Sequence, residues 1–379
     1  MKYFLLLTIF SISITVEAKE FSYLARSPRA LLMGDAYTAM ADDEYTLFYN
    51  PAALGRNKGV SSSLLNPSFG LPDVYHDLNK FQKFPSTAAG ISNKIMEYPI
   101  YMQMGAFPTL KLSHFGITMF ANSKTSLVLH NAVHPMVDLN YRYDRGFIAG
   151  FAYNIGSGAY SDKPKRNTKA KINAGKRLST GFAIKHVNRQ GIQGQFDLFG
   201  TTLLNKISSG ATTPAAIKSA FGYSSGDGWG VDFGSEFAVS SGNSLFTAGL
   251  SVLDIGGTHF SRTSGTGSIP KQDMTVNTGI AYKQDYTVFD YTLSADLHPM
   301  LSSVSFARQF HFGAELSVPF ISAFGGWSEG YLSYGASVKL WPLKLTTGFY
   351  GIETGTRYRQ QQAKRFILYL SLFDFSIDL

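Results

Sequence analysis

From Ile100 onward, hydrophobic and polar residues trade places at every second position, the period of a strand whose two faces meet different surroundings. In Met136 to Tyr143 the odd positions Val137, Leu139, Tyr141 and Tyr143 are apolar or aromatic, with Asp138, Asn140 and Arg142 between them. Val231, Phe233, Phe237 and Val239 alternate with Asp232, Gly234 and Glu236. Phe289, Tyr291, Leu293, Ala295 and Leu297 alternate with Asp290, Thr292, Ser294 and Asp296, and Phe310, Phe312, Ala314, Leu316 and Val318 with His311, Gly313 and Glu315. Leu332 to Leu340 and Val276 to Tyr282 follow the same rule. A soluble β-sandwich also alternates. Here the apolar faces approach the ~9–11 residues that cross a bilayer as a tilted strand, and their ends are rich in Tyr, Phe and Trp, as interfacial girdles require. Short turns join most of them, so little chain remains to cover a greasy face. Hydrocarbon offers no partner to backbone N–H and C=O groups, so a sheet in lipid must have no edge. The pattern predicts an all-β fold, a transmembrane antiparallel β-barrel of 14 to 16 strands. Its polar positions, Asp138, Arg142, Asp232, Glu236, Asp290, Asp296 and Glu315, turn into a wet lumen, because charge facing lipid is costly.

Other segments depart from that rule. In Arg365 to Leu379 the expected outward set is Ile367, Tyr369, Phe373, Phe375, Ile377 and Leu379, and the inward set begins Leu368, Leu370 and Leu372, apolar walls suited to a greasy solute or an apolar plug. Lys19 to Lys58 shows no alternation; Ala-rich and carrying the pair Asp42-Asp43, it is unsuited to face lipid. Gly59 to Leu65 reads as a first strand. Val74, Leu78 and Phe81 stand at helical spacing after Pro72 and Asp73, and a second short helix is expected over Ser86 to Met96, which makes 71–96 a helical insertion. Ile192 to Asp227 reads as a long loop, with Phe196, Phe199, Leu203, Leu204 and Ile207 on one short helix and Pro214 to Ala220 on another. Barrels of this kind carry such loops on the extracellular side.

Composition sharpens the class. Of 379 residues only 16% are charged, against a globular norm of about 25%, while Phe, Tyr and Gly number 30, 21 and 37. The first 18 residues have one Lys, an apolar run and a small residue at Ala18, the form of a cleaved signal peptide. That run is short of the ~20 residues of a spanning helix. No Cys is present, so the chain has neither a lipoprotein anchor nor disulfides. The net charge of +8 comes without the basic helix or aromatic motif that nucleic acid requires. Its densest cluster, Lys163, Lys165, Arg166, Lys169, Lys171, Lys176 and Arg177, reads as a solvated loop, with an anionic-lipid or lipopolysaccharide contact as the alternative.

Arg26 to Gly55, RSPRALLMGDAYTAMADDEYTLFYNPAALG, resembles the N-terminal segment of the FadL/PorV-like outer-membrane barrels, whose usual form is close to RALGMGGAFVALADDATALYWNPAGLA. Arg29, Ala30, Leu31, Met33, Gly34, Ala36, Ala39, Ala41, Asp42, Asp43, Asn50, Pro51, Ala52 and Leu54 fall on that pattern; Pro28, Asp35 and Ala53 depart from it at positions where Gly is usual. Phe310 to Gly355 resembles the closing hairpins of PorV-like proteins, with an HLGAE-like start at His311 to Glu315, the step Gly330-Tyr331 and a turn near Glu353. The last strand resembles an outer-membrane targeting strand, although it ends in Leu379 where Phe is usual. The resemblance implies 14 strands, an outer-membrane location with lipid and lipopolysaccharide as neighbours, and residues 19–58 folded in or under the barrel as a plug. The plug motif is Arg29, Met33, Gly34, Asp42, Asp43, Asn50 and Pro51. Inward acids and bases of the wall would fix the plug by salt bridges, with Asp42 and Asp43 as candidates to meet Arg or Lys of the wall. Two functions stay open. One is transport, in which a hydrophobic small-molecule ligand is captured outside, passes the plug and leaves laterally or into the periplasm. The other is a PorV-like barrel that transports nothing and docks secretion-system or surface-anchoring proteins.

Chemistry beyond this is sparse. Gly156-Ser157-Gly158 and Gly265-Thr266-Gly267 lack the strand and helix context of a nucleotide motif, and the eight His show no metal-ligand spacing, so no cofactor or metal is expected. Asp296, His298, Ser302 and Ser303 invite a triad reading. Asp296 and His298 stand two residues apart on one strand face, however, and Pro299 marks a turn, so the expectation is a protein without catalytic residues.

Overall fold

The computed structural model describes residues 20–377, apart from 22, 58, 74–99, 131–135, 157–159, 162–171, 174, 198–217, 219–220, 287, 303 and 356. Fourteen antiparallel strands close into a barrel. β1 runs in two pieces, Val60–Ser63 and Ser68–Pro72, and so does β2, Ile100–Ala106 and Thr109–Leu112. The long strands follow: β3 Phe115–His130, β4 Met136–Ile155, β5 Gly175–Asp197 and β6 Ser224–Ser241. β7 is Ser244–Leu253, resumed after a break as Phe260–Gly265. Then come β8 Thr275–Asp285, β9 Asp290–Leu297, β10 Phe310–Ser317, β11 Ile321–Ser328, β12 Tyr331–Leu340 and β13 Leu343–Glu353. β14 is Gln362–Leu372 with a short continuation, Phe375–Ile377. The circle closes where residues 365–369 of β14 lie against 68–72 of β1, with Val60 opposite Ile377.

Alternation along each strand sorts side chains between lipid and lumen. Phe151, Phe182, Val231, Phe237, Leu293 and Leu316 are exposed on the outer wall, whereas Asp232, Glu236, Ser251, Asp296 and Glu315 are buried inside. The limit of the apolar belt is marked on β4 to β6. Phe147, His186 and Trp229 form an outward aromatic cluster, with His186 and Trp229 ring centroids 4.8 Å apart. The next outward positions are polar: Arg145 Nε donates to Asn188 Oδ1 at 3.2 Å, and Asn188 Nδ2 to Asp227 Oδ1 at 2.9 Å. An aromatic girdle bordered by hydrogen-bonded polar groups is where hydrocarbon gives way to water, so the upper parts of β4 and β5 stand clear of the membrane. By contrast β8 to β13 have 8–11 residues, close to what spanning alone requires.

Several expectations are corrected. On β14 the buried residues are Ala363, Arg365, Ile367, Tyr369 and Ser371, so Leu368, Leu370 and Leu372 point toward lipid and Ile367 and Tyr369 point inward. Both faces of that stretch are greasy and the charges Lys364 and Arg365 stand side by side on opposite faces, so neither hydrophobicity nor charge along the strand fixes the parity; Arg365 turns inward and Lys364 pairs with Asp73. Phe373, with φ of 59°, then interrupts the strand and resets the parity, and Phe373, Phe375 and Ile377 are exposed. The proposed insertion at 71–96 begins too early, because Leu71 and Pro72 end β1, paired with Phe366 and Arg365; the rest of it lies outside the described residues. The long loop is shorter than 192–227. Residues 192–197 finish β5 and 224–227 open β6, which leaves 198–217, with Phe199, Leu203, Leu204 and Ile207, outside the described residues. Residues 1–18, Leu379 and most of the basic cluster also lie outside them. Arg177 is no loop residue: it is buried on β5, 2.7 Å from Glu236.

Candidate functional site

Residues 20–57 run through the barrel interior and form its core. Ser27 caps a first short helix, α1 (Pro28–Leu32), by accepting from the Ala30 amide, with Pro28 at the first turn where no N–H is needed. Gly34 and Asp35, at φ of 63° and 65°, turn the chain out of it. Left-handed backbone favours glycine, which is the usual residue at both positions. Asp35 is held there by its carboxylate, which accepts from Arg26 Nε at 2.8 Å and from the Tyr49 hydroxyl at 2.7 Å. Burial would raise its pKa, but Arg26 and nearby His298 bring it below the usual carboxylate value. A second helix, α2 (Thr46–Tyr49), leads to Asn50, whose Oδ1 caps the 3-10 turn Pro51–Arg56 by accepting from Ala52 N at 3.0 Å. Asn50 Nδ2 donates to Thr38 O within the plug and to Ser235 O on the wall.

The wall holds this segment by charge, by backbone hydrogen bonds and by close approach. Arg29 donates to Glu315 of β10 through Nε at 2.9 Å and to Asp42 through Nη1 at 2.6 Å. Arg56 Nη2 lies 2.6 Å from Glu236 of β6, which also binds Arg177. Asp296 Oδ2 on β9 accepts from the backbone N–H groups of Tyr37 and Thr38 at 2.8 and 2.7 Å. The hydroxyl of Tyr369 donates to Glu44, whose pKa burial pushes up to about 7, with the charge of Asp43 adding to the effect. Asp43 accepts from the Ser27 hydroxyl at 2.6 Å, and Lys111 of β2 donates to the peptide carbonyls of Asp42 and Asp43. The acidic pair thus meets the wall lysine through main-chain oxygens, while Asp42 takes its arginine from the plug. Small inward residues let backbone lie on backbone. A Cβ on Gly181 of β5 would sit 2.5 Å from Ala52 N, one on Gly313 of β10 2.6 Å from Met33 O, and one on Gly34 2.5 Å from Trp327 N.

The remaining predicted wall residues have different partners. Asp232 faces Lys185 of β5 at 2.7 Å and accepts from the Asp254 amide. Arg142 lies 2.9 Å from Asp144 and donates to Tyr23 O. Asp290, partly exposed near a turn, is 4.0 Å from Lys283, and Asp138 is half-buried at the far end of β4. The sequence reading missed Lys185, Arg189 and Arg365, all buried cations; for Lys185, which follows Phe182-Ala183-Ile184, a basic residue in an apolar run was the available signal, whereas Arg189 stands among polar residues and Arg365 beside Lys364. The triad reading dissolves. Asp296 is taken by two plug amides, His298 Nδ1 and Nε2 lie 3.0 Å from the Tyr23 hydroxyl and Asp35 O, and Ser302 donates to Pro299 O. Ser303 lies outside the described residues. Among the described residues no cluster of His, Asp and Glu could hold a metal.

In β7 the wall is interrupted by a bend. Asp254, Gly256 and Gly257 have φ of 53°, 75° and 78° and bend β7 out of its ladder. Asp254 anchors the bend, with Thr258 Oγ1 donating to it at 2.5 Å, Lys185 Nζ at 3.0 Å and Gln272 Nε2 at 3.3 Å. Below the break β7 pairs with β8 as far as Leu253 opposite Thr275. Above it, among the described residues, Phe260–Gly265 pairs with β6 alone. A recess of about 590 Å³ opens there, lined by Gly256 to Phe260, Arg262, Ile269 and Lys271 to Asp273. Arg189 supports it from the lumen, bound to Asp144 and donating to the carbonyls of Pro270 and Lys271, with its guanidinium 4.6 Å from the Phe260 ring centroid.

No protein-family model matches the sequence, and no curated protein does. Among solved structures, the chain is similar to a TodX monoaromatic hydrocarbon channel deltaS2 mutant, at 10% identity over 96% of this chain and 100% of that one, with a TM-score of 0.48. The Ralstonia pickettii toluene transporter TbuX gives 13% identity, 92% and 98% coverage and a TM-score of 0.45. CdiB from Acinetobacter baumannii gives 8%, 83% and 60%, and 0.34.

Proposed function

We propose that this chain is an outer-membrane barrel for the uptake of hydrophobic small molecules, with most of its short turns in the periplasm and most of its long loops outside. The resemblance of residues 26–55 to the FadL/PorV-like plug supports this reading, and the observation that carries it is the break in β7. The plug lies against the wall with backbone on backbone, so a solute travelling straight down the lumen would have to expel it. At Asp254 to His259 the ladder between β7 and β8 gives way to a single bridge, the Thr258 amide donating to Gln272 O at 2.9 Å, and a recess with Phe260 and Ile269 on its wall opens at that level. An apolar solute entering there can leave sideways into hydrocarbon, where its transfer is favourable by about 25 cal/mol per Å² of apolar surface. Water and ions gain nothing by that route.

The test is uptake of labelled fatty acids and aromatic hydrocarbons by cells with and without the gene, with a severalfold difference expected for at least one class. Because the chain has no Cys, the pair Thr258→Cys and Gln272→Cys, bridge partners across the gap between β7 and β8, can pin the break. Oxidation should cut uptake severalfold and reductant should restore it. Unchanged uptake in the oxidised form removes the break as the route. No difference across the whole panel, together with crosslinking that returns secretion or surface-anchoring proteins, would instead favour a docking barrel.

A further inference from the structure

At the long-loop end of the lumen the first described residues of the plug meet a group of buried cations. Both Nη atoms of Arg365 donate to the Glu20 carboxylate, at 2.9 and 2.8 Å, and Lys124 Nζ reaches the same carboxylate. Burial opposes the charge on Glu20, yet Arg365 and Lys124 hold its pKa far below the ordinary value, so it is ionised. One carboxylate is therefore shared by two cations. One strand further round, Arg142 and Arg189 likewise share Asp144. Arg365 is nine-tenths buried, with its side chain 3% exposed and its guanidinium 3.4 Å over the Tyr101 ring. Among the described residues its Nε–H has no acceptor. Beside it is a cavity of about 20 Å³ lined by Glu20, Tyr101, Gln103, Lys124, Tyr350 and Arg365 among others.

We propose that this cavity binds one small monovalent anion, chloride in ordinary media, held by Arg365 and Lys124. A space of this size has room for a single water-sized species, which favours a halide over sulfate, phosphate and carboxylates. Water could accept from the free Nε–H, but it would leave the surplus positive charge uncompensated in a medium where unpaired charge is costly. A halide answers both needs. It also fixes the two cations that hold Glu20, so the grip of β3 and β14 on the leading plug residues depends on the anion present. The inference is independent of what the barrel transports.

Crystals of the full-length protein grown in bromide should show an anomalous peak in contact with Arg365 Nε and Lys124 Nζ. The peak should fall at least tenfold in Arg365→Gln and in Lys124→Met; should the first fail to fold, the second decides. Thermal unfolding in detergent should occur at a higher temperature in chloride than in gluconate at equal ionic strength, and Lys124→Met should erase the difference. A water in the cavity at high bromide, or a peak that persists in Lys124→Met and so marks an adventitious ion only, overturns the proposal.

Discussion

Asp296→Ala is expected to release the middle of the plug. Its carboxylate is the acceptor for two consecutive buried amides, those of Tyr37 and Thr38. Each buried donor left without a partner costs about 1–3 kcal/mol, so the loss should reach roughly 2–6 kcal/mol for the pair. The side chain is 4% exposed, so water cannot easily take its place. Denaturant unfolding in detergent measures the loss, and limited proteolysis should show new cleavage near residues 36–41 before the barrel itself opens. Asp296→Asn keeps one acceptor oxygen and should fall between wild type and Ala. Wild-type stability and protease resistance in Asp296→Ala would mean that the wall does not hold this turn.

Glu236→Gln should be about as damaging, for a different reason. Glu236 is fully buried between Arg56 of the plug and Arg177 of the wall. Removing one partner of a buried ion pair typically costs about 3–5 kcal/mol, because the other charge is left uncompensated. Adding Arg177→Met to Glu236→Gln removes one of the stranded charges and should recover part of the loss, so the two changes will be strongly non-additive. Simple additivity in the same denaturant assay would show that the three groups do not act as a unit.

How much of this could be read beforehand follows from which constraints are local. Alternation is a property of each strand alone, so the apolar residues flanking Asp232, Asp296 and Glu315, and Phe237 beside Glu236, were enough to place these acids on the polar face. β14 failed by the same logic, because Ile367 and Tyr369 are as apolar as Leu368 and Leu370, and a period of two has no sign when both faces are greasy. The bend in β7 had a local signal, Asp254 followed by Gly256-Gly257, but nothing in the chain shows that β8 starts too low to cover the gap. Partners across the lumen were the least legible. That Asp296 would meet the amides of Tyr37 and Thr38, or Glu20 the side chains of Lys124 and Arg365, depends on the height at which residues 20–57 thread the barrel, and this is set by contacts with many strands at once. Asp35 is the clearest residue-level case. It departs from the usual glycine, and its carboxylate joins Arg26 to Tyr49 and keeps the left-handed turn in place.

The central claim is that residues 20–57 fill the lumen permanently and that whatever crosses does so beside them and through the wall. Planar-bilayer conductance of the purified full-length protein tests it most directly. The account predicts no steady current above that of the bare membrane at any salt concentration, even in preparations that take up hydrophobic solutes when reconstituted. A stable current that grows in proportion to salt, with the plug still attached and intact, would contradict it.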